Sequence, residues 1–383
     1  MGNEDRDRHF DVIVVGLGGM GSATLYELAR RGKRVLGLES FEIPHELGSS
    51  HGVNRIIRLA YYEHPSYVPL LRRAYELWQE LERRADDSLL ITTGSIDTDV
   101  ADGPVFNGSL ESCRLHGVPH EVLTATQTNG RFPGYRLPEG HRALFQADGG
   151  FLLSEKCIVA YVQQALALGA QVRTRERVQE WEAGGEGVSV ETNQGRYHAS
   201  RLVITAGAWA AQMVPELAGL AVPERQVLGW FRTAHGPRFA PDAFPVFNAA
   251  FPEGRYYGFP EYGTPGLKIG RYHHLNETVQ PDSVRRTISR EDEEVLRVAV
   301  ERYFPDANRE ILSTKTCMFT NSPDEHFILD LLPDRPEVAV AAGFSGHGFK
   351  FCSVVGEVLA ELVTLGETRH DISLFQVERF RKR

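Results

Sequence analysis

Three short stretches hold residues whose types and spacing could do chemistry. Gly16-Leu17-Gly18-Gly19-Met20-Gly21 is a G-x-G-x-x-G between the apolar run FDVIVVG and the helix-like MGSATLYELARRG, and Glu39 closes the next run, KRVLGLES. In such a strand–turn–helix, Gly16 makes the tight turn, Gly18 lets the backbone approach a pyrophosphate, and Gly21 lets the helix pack closely on the strand. The anion then sits on the helix N-terminus, and a carboxylate at Glu39 accepts both hydroxyls of an adenosine ribose. The motif predicts a dinucleotide and leaves NAD and FAD both open. His51, Arg55 and Arg58 place three basic groups close together, and the apolar residues of RIIR half bury them. Buried guanidinium groups require anionic partners. Cys317 stands alone inside STKTCMFTNSPDEHFILD, far along the chain from Cys113 and Cys157, with Cys352 beyond it. Scattered cysteines without a C-x-x-C pair fit neither a disulfide framework nor a zinc site, so no metal is expected.

The elements that must position these residues follow from the apolar periods. FDVIVVG, the glycine-opened helix ended by Gly32, and KRVLGLES predict a βαβ start. SYVPLLRRAYELWQELERR puts Val68, Leu71, Tyr75 and Trp78 at helical spacing. From about 86 to 148, Gly, Pro and polar residues interrupt shorter apolar pieces, which predicts departure into a second domain. SEKCIVAYVQQALALGA reads as a helix capped by Ser154. After QVRTRERVQEWE, the run GVSVET, the turn NQG and RYHAS predict a small antiparallel piece, and RLVITAGAWA a strand returning to the first sheet. The stretch from about 216 to 315 is rich in aromatic residues and proline. It holds a hairpin in RYYGFPEYGTPGLKIGRYHH and a helix in EDEEVLRVAVERYF. EVAVAAG then predicts a buried strand, FSGHGF a loop and KFCSVVGEVLAELVTLG a closing helix. The expected fold class is α/β. A Rossmann-like nucleotide domain takes residues 1–85, 149–215 and 316–383, and an α+β domain with a mixed sheet takes 86–148 and 216–315.

Composition narrows the partners. The 383 residues suit two packed domains, and 42% hydrophobic with 24% charged residues is ordinary for a soluble globular protein. A net charge of -9 argues against nucleic acid, which wants a basic stripe. No apolar run approaches the roughly 18 residues that a membrane crossing needs. The start, MGNEDRDRHF, is too charged for a secretory signal, and Arg6 stands where a myristoylation site needs Ser or Thr. The final RKR is no peroxisomal address. A cytoplasmic protein with reduced thiols is expected.

Taken together and in this order, GSSHGVNRIIRLAYYEH, RYYGFP, GLKIG, KTCMFTNSPDEHFILD and GFSGHGFKF resemble the family of monomeric sarcosine oxidase and N-methyltryptophan oxidase along nearly the whole chain. The resemblance implies bound FAD, a monomer, and a fold of the glutathione-reductase and D-amino-acid-oxidase type. It implies hydride transfer from an N-methyl amino acid to the flavin, with dioxygen as acceptor. The products are an imine (then formaldehyde and the primary amino acid) and hydrogen peroxide. A cyclic or bulkier secondary amino acid, or electron transfer to a partner protein, stays open.

Residue by residue, the resemblance implies that Cys317 carries the flavin through a thioether at its 8α carbon, which needs a thiolate and an electropositive site. It places His51 and Arg55 over the flavin and gives the substrate carboxylate to Arg58 and Lys350, where a planar guanidinium fork suits. It sets Lys268, in the alternating GLKIG, against the flavin to promote reaction with dioxygen, since a fixed cation favours negative charge as it forms. The cofactor's walls take in Leu17, Met20, Ser40, Ser50, Val178, Gly207, Gly343, Gly346, His347, Gly348 and Phe349. The last glycines admit backbone amides to the flavin's pyrimidine edge. Tyr257 and Phe259, on one face of their strand, line the substrate cavity or pack in the core. The chain departs from the family four residues after the lysine, where Tyr272 stands in place of a histidine and His273 follows. Alternation gives Lys268, Gly270 and Tyr272 one face, so Tyr272 should enter the pocket. Asn248 stands where an apolar residue is usual. These two positions leave the substrate's side chain open.

Overall fold

A computed structural model describes residues 8–185 and 187–381. The charged start and the last two residues of RKR lie outside them. No helix among the described residues is long and apolar enough to cross a membrane.

FDVIVVG forms the strand His9–Val15, because an unbroken apolar run suits a strand covered on both faces. Val12 and Val14 enter one core with the helices Gly19–Arg30, Ser154–Ala167 and Cys352–Leu365, while Ile13 and Val15 enter another on the opposite face. The strand pairs in parallel with Val35–Leu38 on one side and Arg196–Ile204 on the other. RYHAS and RLVI, read as two pieces, are one strand. Its start lies antiparallel to Gly187–Thr192 and its end parallel to Arg335–Ala342. Ser154 does not cap the helix it opens, because the strand Gly150–Leu153 runs straight into that helix and leaves Leu153 at the cap. Ser154 Oγ instead donates to Glu155 Oε2, and Glu155 Oε1 accepts from the N–H groups of Gly52 (2.6 Å) and Val53 (3.1 Å).

A second eight-stranded sheet runs in the order Ile311–Asn321, Val222–Phe231, Leu267–Arg271, Gly254–Phe259, Val246–Phe251, Ser95–Val100, His141–Gln146 and Glu121–Thr124. The sheet is mixed, since Val246–Phe251 lies parallel to Ser95–Val100 and the other pairings are antiparallel. Alternation sorts its two faces. Ile96, Val227, Phe231, Phe247, Ala249, Tyr256, Leu267 and Ile269 enter an apolar core with Leu296, Ala299 and Val300 of the helix Arg290–Tyr303. The intervening positions, Asp97, Gln226, Asn248, Arg255, Tyr257 and Lys268, take the other face. Cys317 joins them, being directly opposite Gln226.

Two strands fall on other sides of the expected borders. The border at 316 cuts the strand Ile311–Asn321, which stays paired with Val222–Phe231 as far as Asn321. Leu90–Thr92, placed with the second domain, pairs with Gly150–Leu153, whose other neighbour is Asn54–Ile57. In both cases the hydrogen-bond ladder, which a break in composition does not report, sets the border.

Candidate functional site

A cavity of about 960 Å³ opens at the carboxyl ends of the first sheet's strands. Its walls include Gly16, Leu17, Gly18, Met20, Glu39, Ser40, Ser50, Arg55, Val178, Gly207, Gly343, Gly346, Gly348 and Phe349. Gly16 turns with φ +86, a left-handed conformation that a side chain would strain. Gly21 stays out of the wall and does packing work. A Cβ there would lie 1.8 Å from the Gly16 carbonyl oxygen and 2.5 Å from Thr205 Oγ1, so only a hydrogen lets the helix start this close to the turn. In front of Gly18 the space is open, the nearest neighbour being Ser50 Oγ at 3.7 Å from a Cβ built there. Glu39 is buried, and its carboxylate accepts from the N–H of Leu17 (2.8 Å) and of Phe41 (3.1 Å). A glycine turn on a helix N-terminus, a long groove and a buried carboxylate at its end fit a dinucleotide.

The basic segment crosses from the first domain to the polar face of the second sheet. Val53 adopts φ +76, unusual for a β-branched residue, and the Glu155 carboxylate on its N–H and that of Gly52 holds the turn. The Gly52 carbonyl then accepts from Lys268 Nζ at 2.6 Å, with the Asn54 carbonyl at 3.0 Å and Asn54 Oδ1 at 2.7 Å. Burial drives the Lys268 pKa well below the ordinary lysine value, and Arg55 adds to this. Three oxygen acceptors, matching the three N–H bonds of an ammonium, work the other way.

Arg55 donates to the carbonyls of Asn54 (2.8 Å) and Ser49 (2.7 Å), and its Nη2 lies 3.8 Å from Cys317 Sγ. Cys317 is the one cysteine with a guanidinium against its sulfur among the described residues. Burial pushes the Cys113 thiol up to about 12, and raises those of Cys157 and Cys352 as well. His51 is buried with neither ring nitrogen partnered, and burial, then Arg55, lowers its pKa to about 4. A neutral, orphaned imidazole next in sequence to Ser50 of the groove wall, though not itself in that wall, needs a partner that the chain does not supply.

Beyond the groove lies a buried cluster of opposite charges. Arg58 is 3% exposed; its Nε donates to Asp97 Oδ1 (3.1 Å), its Nη2 lies 3.4 Å from Glu63 Oε2, and its Nη1 has no partner. Burial opposes its charge, but Asp97 and Glu63 outweigh it and hold the pKa above the usual arginine value. Burial likewise opposes the Glu63 carboxylate, and Arg58 with its neighbours overcomes it, bringing the pKa to about 2. Asp97 is pushed up by burial against the pull of Arg58. Lys350, in the turn Phe349–Phe351 before the last helix, donates to the His347 carbonyl (2.8 Å), and burial, then Arg58, lowers its pKa to about 7. Arg58 and Lys350 both sit over the Tyr61 ring, at 4.8 and 5.2 Å. His347 is fixed between Tyr61 Oη (2.6 Å) and the Glu325 carbonyl (2.9 Å), and burial lowers its pKa to about 4.

Aromatic rings close this side. Tyr272 follows the end of the strand Leu267–Arg271, donates its N–H to the Arg255 carbonyl, and sets its ring 5.2 Å from Tyr257 and 5.5 Å from Phe319. His273, at φ +55, turns away to Glu224 and Glu325, which hold its pKa up at about 9. Phe259 belongs to a small core with Phe151, Leu153 and Val246, and Tyr257 packs against it.

The sequence-selected residues thus fall into two groups: the groove, and a cationic and aromatic face beside it. Sequence reasoning assigned no role to Glu63, Asp97, Arg255, Tyr61 or Tyr62. Glu63, Tyr61 and Tyr62 lie within GSSHGVNRIIRLAYYEH and Arg255 within RYYGFP; an inward carboxylate at Asp97 could have been found only by pairing SIDTDV with VFNAAF.

The family profile described as FAD dependent oxidoreductase matches residues 11–362. A monomeric sarcosine oxidase of Bacillus sp. (strain NS-129) is 43% identical over 377 residues, 97% of each chain. An N-methyl-L-tryptophan oxidase of Salmonella enteritidis PT4 is 35% identical over 378 residues, 97% of this chain and 99% of the other. Among solved structures, the open form of NikD, an unusual amino acid oxidase essential for nikkomycin biosynthesis, has a TM-score of 0.83 at 26% identity, covering 96% of this chain and 97% of that one. The L-proline dehydrogenase of P. horikoshii shares the fold, with a TM-score of 0.81 at 22% identity over 97% of this chain and 98% of that one.

Proposed function

Because the chain belongs to the family of FAD-dependent oxidoreductases, we propose that it oxidises a secondary amino acid of the N-methyl type, with dioxygen as the final acceptor. The observation that carries this reading is the buried Arg58 with Nη1 unpartnered, over the same ring as Lys350 and next to the nucleotide groove. Two cations on one ring, one with a free donor, suit a carboxylate.

Gly16, Leu17 and Gly18 would hold the pyrophosphate of FAD, Glu39 its ribose, and Cys317 its ring through a thioether. When bound, FAD supplies the two-electron acceptor that side chains lack. The Arg55 guanidinium, 3.8 Å from Cys317 Sγ, supports the tether, because it sets positive charge beside the sulfur that would carry the flavin. The substrate carboxylate docks on Arg58 Nη1 and Lys350 Nζ, which aims the N-methyl group; such orientation is worth on the order of several kcal/mol. The amine has to be neutral when its C–H bond breaks, since an ammonium has no lone pair to push. Arg58, Lys350 and Arg255 around the site favour loss of that proton. Tyr257, Tyr272 and Phe319 exclude water from this side. Lys268, whose three acceptors support its ammonium against the burial that disfavours it, would supply positive charge where negative charge develops as dioxygen is reduced. The reading also takes the protein as a cytoplasmic monomer, which four unpaired, buried cysteines and the name of the Bacillus relative support.

Anaerobic mixing of the flavin-loaded protein with sarcosine, N-methyltryptophan and pipecolate should bleach the flavin, and air should then yield hydrogen peroxide. If no secondary amino acid bleaches it, the oxidase reading fails. Intact-mass measurement tests the tether separately: the wild-type chain should carry the mass of FAD and Cys317→Ser should not.

A further inference from the structure

One cation on the amino-acid side has no use in the reaction above beyond its charge. Arg255 precedes Tyr257 by two residues on the strand Gly254–Phe259, so both side chains take the face that looks toward the site. Its guanidinium carbon lies 3.5 Å from the centre of the Tyr272 ring and 5.2 Å from that of Tyr62. Its Nε is buried without a partner, and no carboxylate among the described residues forms an ion pair with it. Glu63 and Glu325 lie near enough to favour its charge, yet the first is paired with Arg58 and the second with His273. On the neighbouring strand Asn248 sits directly opposite Tyr257, on the same face, and is 3% exposed. Its amide lies near enough to Asp97 to favour that carboxylate's charge, but neither Nδ2 nor Oδ1 makes an aligned hydrogen bond. A half-buried guanidinium without a counter-ion is costly unless a ligand completes it, and the buried amide on the next strand keeps hydrogen-bonding capacity to spare.

We propose that Arg255, assisted by Asn248, binds a second anionic group at the end of the substrate's side chain, so that the preferred substrate is an N-alkylated dicarboxylic amino acid. The proposal rests on the oxidase reading and deepens it. The geometry allows one small molecule to reach both ends of the site. Arg58 and Arg255 lie 5.4 and 5.2 Å from the centre of the same Tyr62 ring, Arg58 with Lys350 taking the α-carboxylate and Arg255 the distal one. Tyr272 supplies the flat surface that holds the Arg255 fork in place, and Asn248 Nδ2 offers a further donor. A pocket with these groups discriminates strongly against a side chain that leaves them unpaired.

The test compares N-methylaspartate and N-methylglutamate with sarcosine and N-methylleucine on the flavin-loaded enzyme. The acidic substrates should exceed N-methylleucine in kcat/KM by at least about tenfold. Arg255→Gln should bring that ratio near one, Arg255→Lys should retain part of it, and Asn248→Leu should lower it about two- to fivefold. Binding of the unreactive succinate and glutarate against butyrate, read from the flavin absorption band, should show the same preference and the same loss. Flavin content equal to wild type checks that each variant folds; if Arg255→Gln does not, the Arg255→Lys and Asn248→Leu ratios decide. An equal drop for sarcosine and for the acids in Arg255→Gln would make Arg255 a ligand of the α-carboxylate and overturn the proposal, as would a wild-type preference for N-methylleucine. If no secondary amino acid reduces the flavin, the oxidase reading falls, while the dicarboxylate titration still decides what Arg255 binds.

Discussion

The groove and the amino-acid face beside it are built from different materials. Where the groove starts it is mostly backbone: a glycine turn, a helix start and strand ends, with the buried Glu39 carboxylate tied to the turn itself. The amino-acid face is side chains, contributed by strands far apart along the chain and held by buried charge pairs such as Arg58 with Asp97 and Glu63. Backbone approached this closely has no room for another atom, whereas a set of side chains can be altered one at a time. The first region should therefore be brittle and the second adjustable.

The largest effect expected from that contrast comes from a single methyl group. Gly21→Ala sets a Cβ 1.8 Å from the Gly16 carbonyl oxygen, so the turn or the helix must move. The purified variant should lack flavin and lose roughly 3 kcal/mol of stability or more by thermal melting. Retention of the flavin at wild-type stability would show that the groove is not brittle. Next in size is Lys268→Met, on the opposite sheet. Reoxidation by dioxygen should slow about 10²- to 10³-fold, the usual scale for losing one fixed electrostatic group, while anaerobic reduction by substrate falls much less. Stopped-flow absorbance measures both halves, and equal losses in the two would deny Lys268 its part with dioxygen.

The same contrast explains what the sequence shows and what it hides. A groove made of backbone is written in contiguous residues, because Gly16, Gly18 and Gly21 act through what they lack and Glu39 follows at a fixed spacing. The α/β class follows in the same way from apolar periods, whereas the mixed character of the second sheet rests on the parallel pairing of Val246–Phe251 with Ser95–Val100, which those periods do not report. The amino-acid face depends on which distant strands pair. SIDTDV alone reads as a strand with one polar face to solvent; its parallel pairing with Val246–Phe251 turns Asp97 inward against Arg58. Arg255 and Glu63 are charged residues beside tyrosines, a pattern that reads as surface until the rings of Tyr61, Tyr62 and Tyr272 close over them. Tyr272 lies one residue past the end of its strand, where φ +55 at His273 sends that imidazole away. No local pattern foretells that turn, because Glu224 and Glu325, which receive the histidine, come from elsewhere in the chain.

A smaller effect sharpens the picture of the adjustable side. Asp97 competes with any incoming carboxylate for Arg58. Asp97→Asn removes that charge and leaves Glu63 as the guanidinium's anion, which should cost about 1–3 kcal/mol in urea unfolding. It should also lower KM for the amino acid by up to about tenfold, since the substrate no longer shares the fork. A higher KM would mean that Asp97 aims Arg58 rather than restrains it.

The smallest effect is a change of pH profile, and the charges around Lys350 isolate it. With its pKa lowered to about 7, Lys350 in the free enzyme is charged below that pH and loses its charge as pH rises through it. Carboxylate binding therefore weakens above about pH 7. Over the same range the substrate's amine, whose own pKa is on the order of 10, gives up its proton more readily. The two trends oppose each other, so wild-type kcat/KM should be nearly flat between about pH 7 and 8. His51 and His347, lowered to about 4, and Glu63, lowered to about 2, do not titrate there, and His273, held up at about 9, titrates above it. Lys350→Arg keeps a positive charge throughout, so kcat/KM should climb with the amine, by up to about tenfold across that pH unit. A variant profile as flat as the wild type's would assign the titration to another group and leave Lys350 as a spacer on the Tyr61 ring.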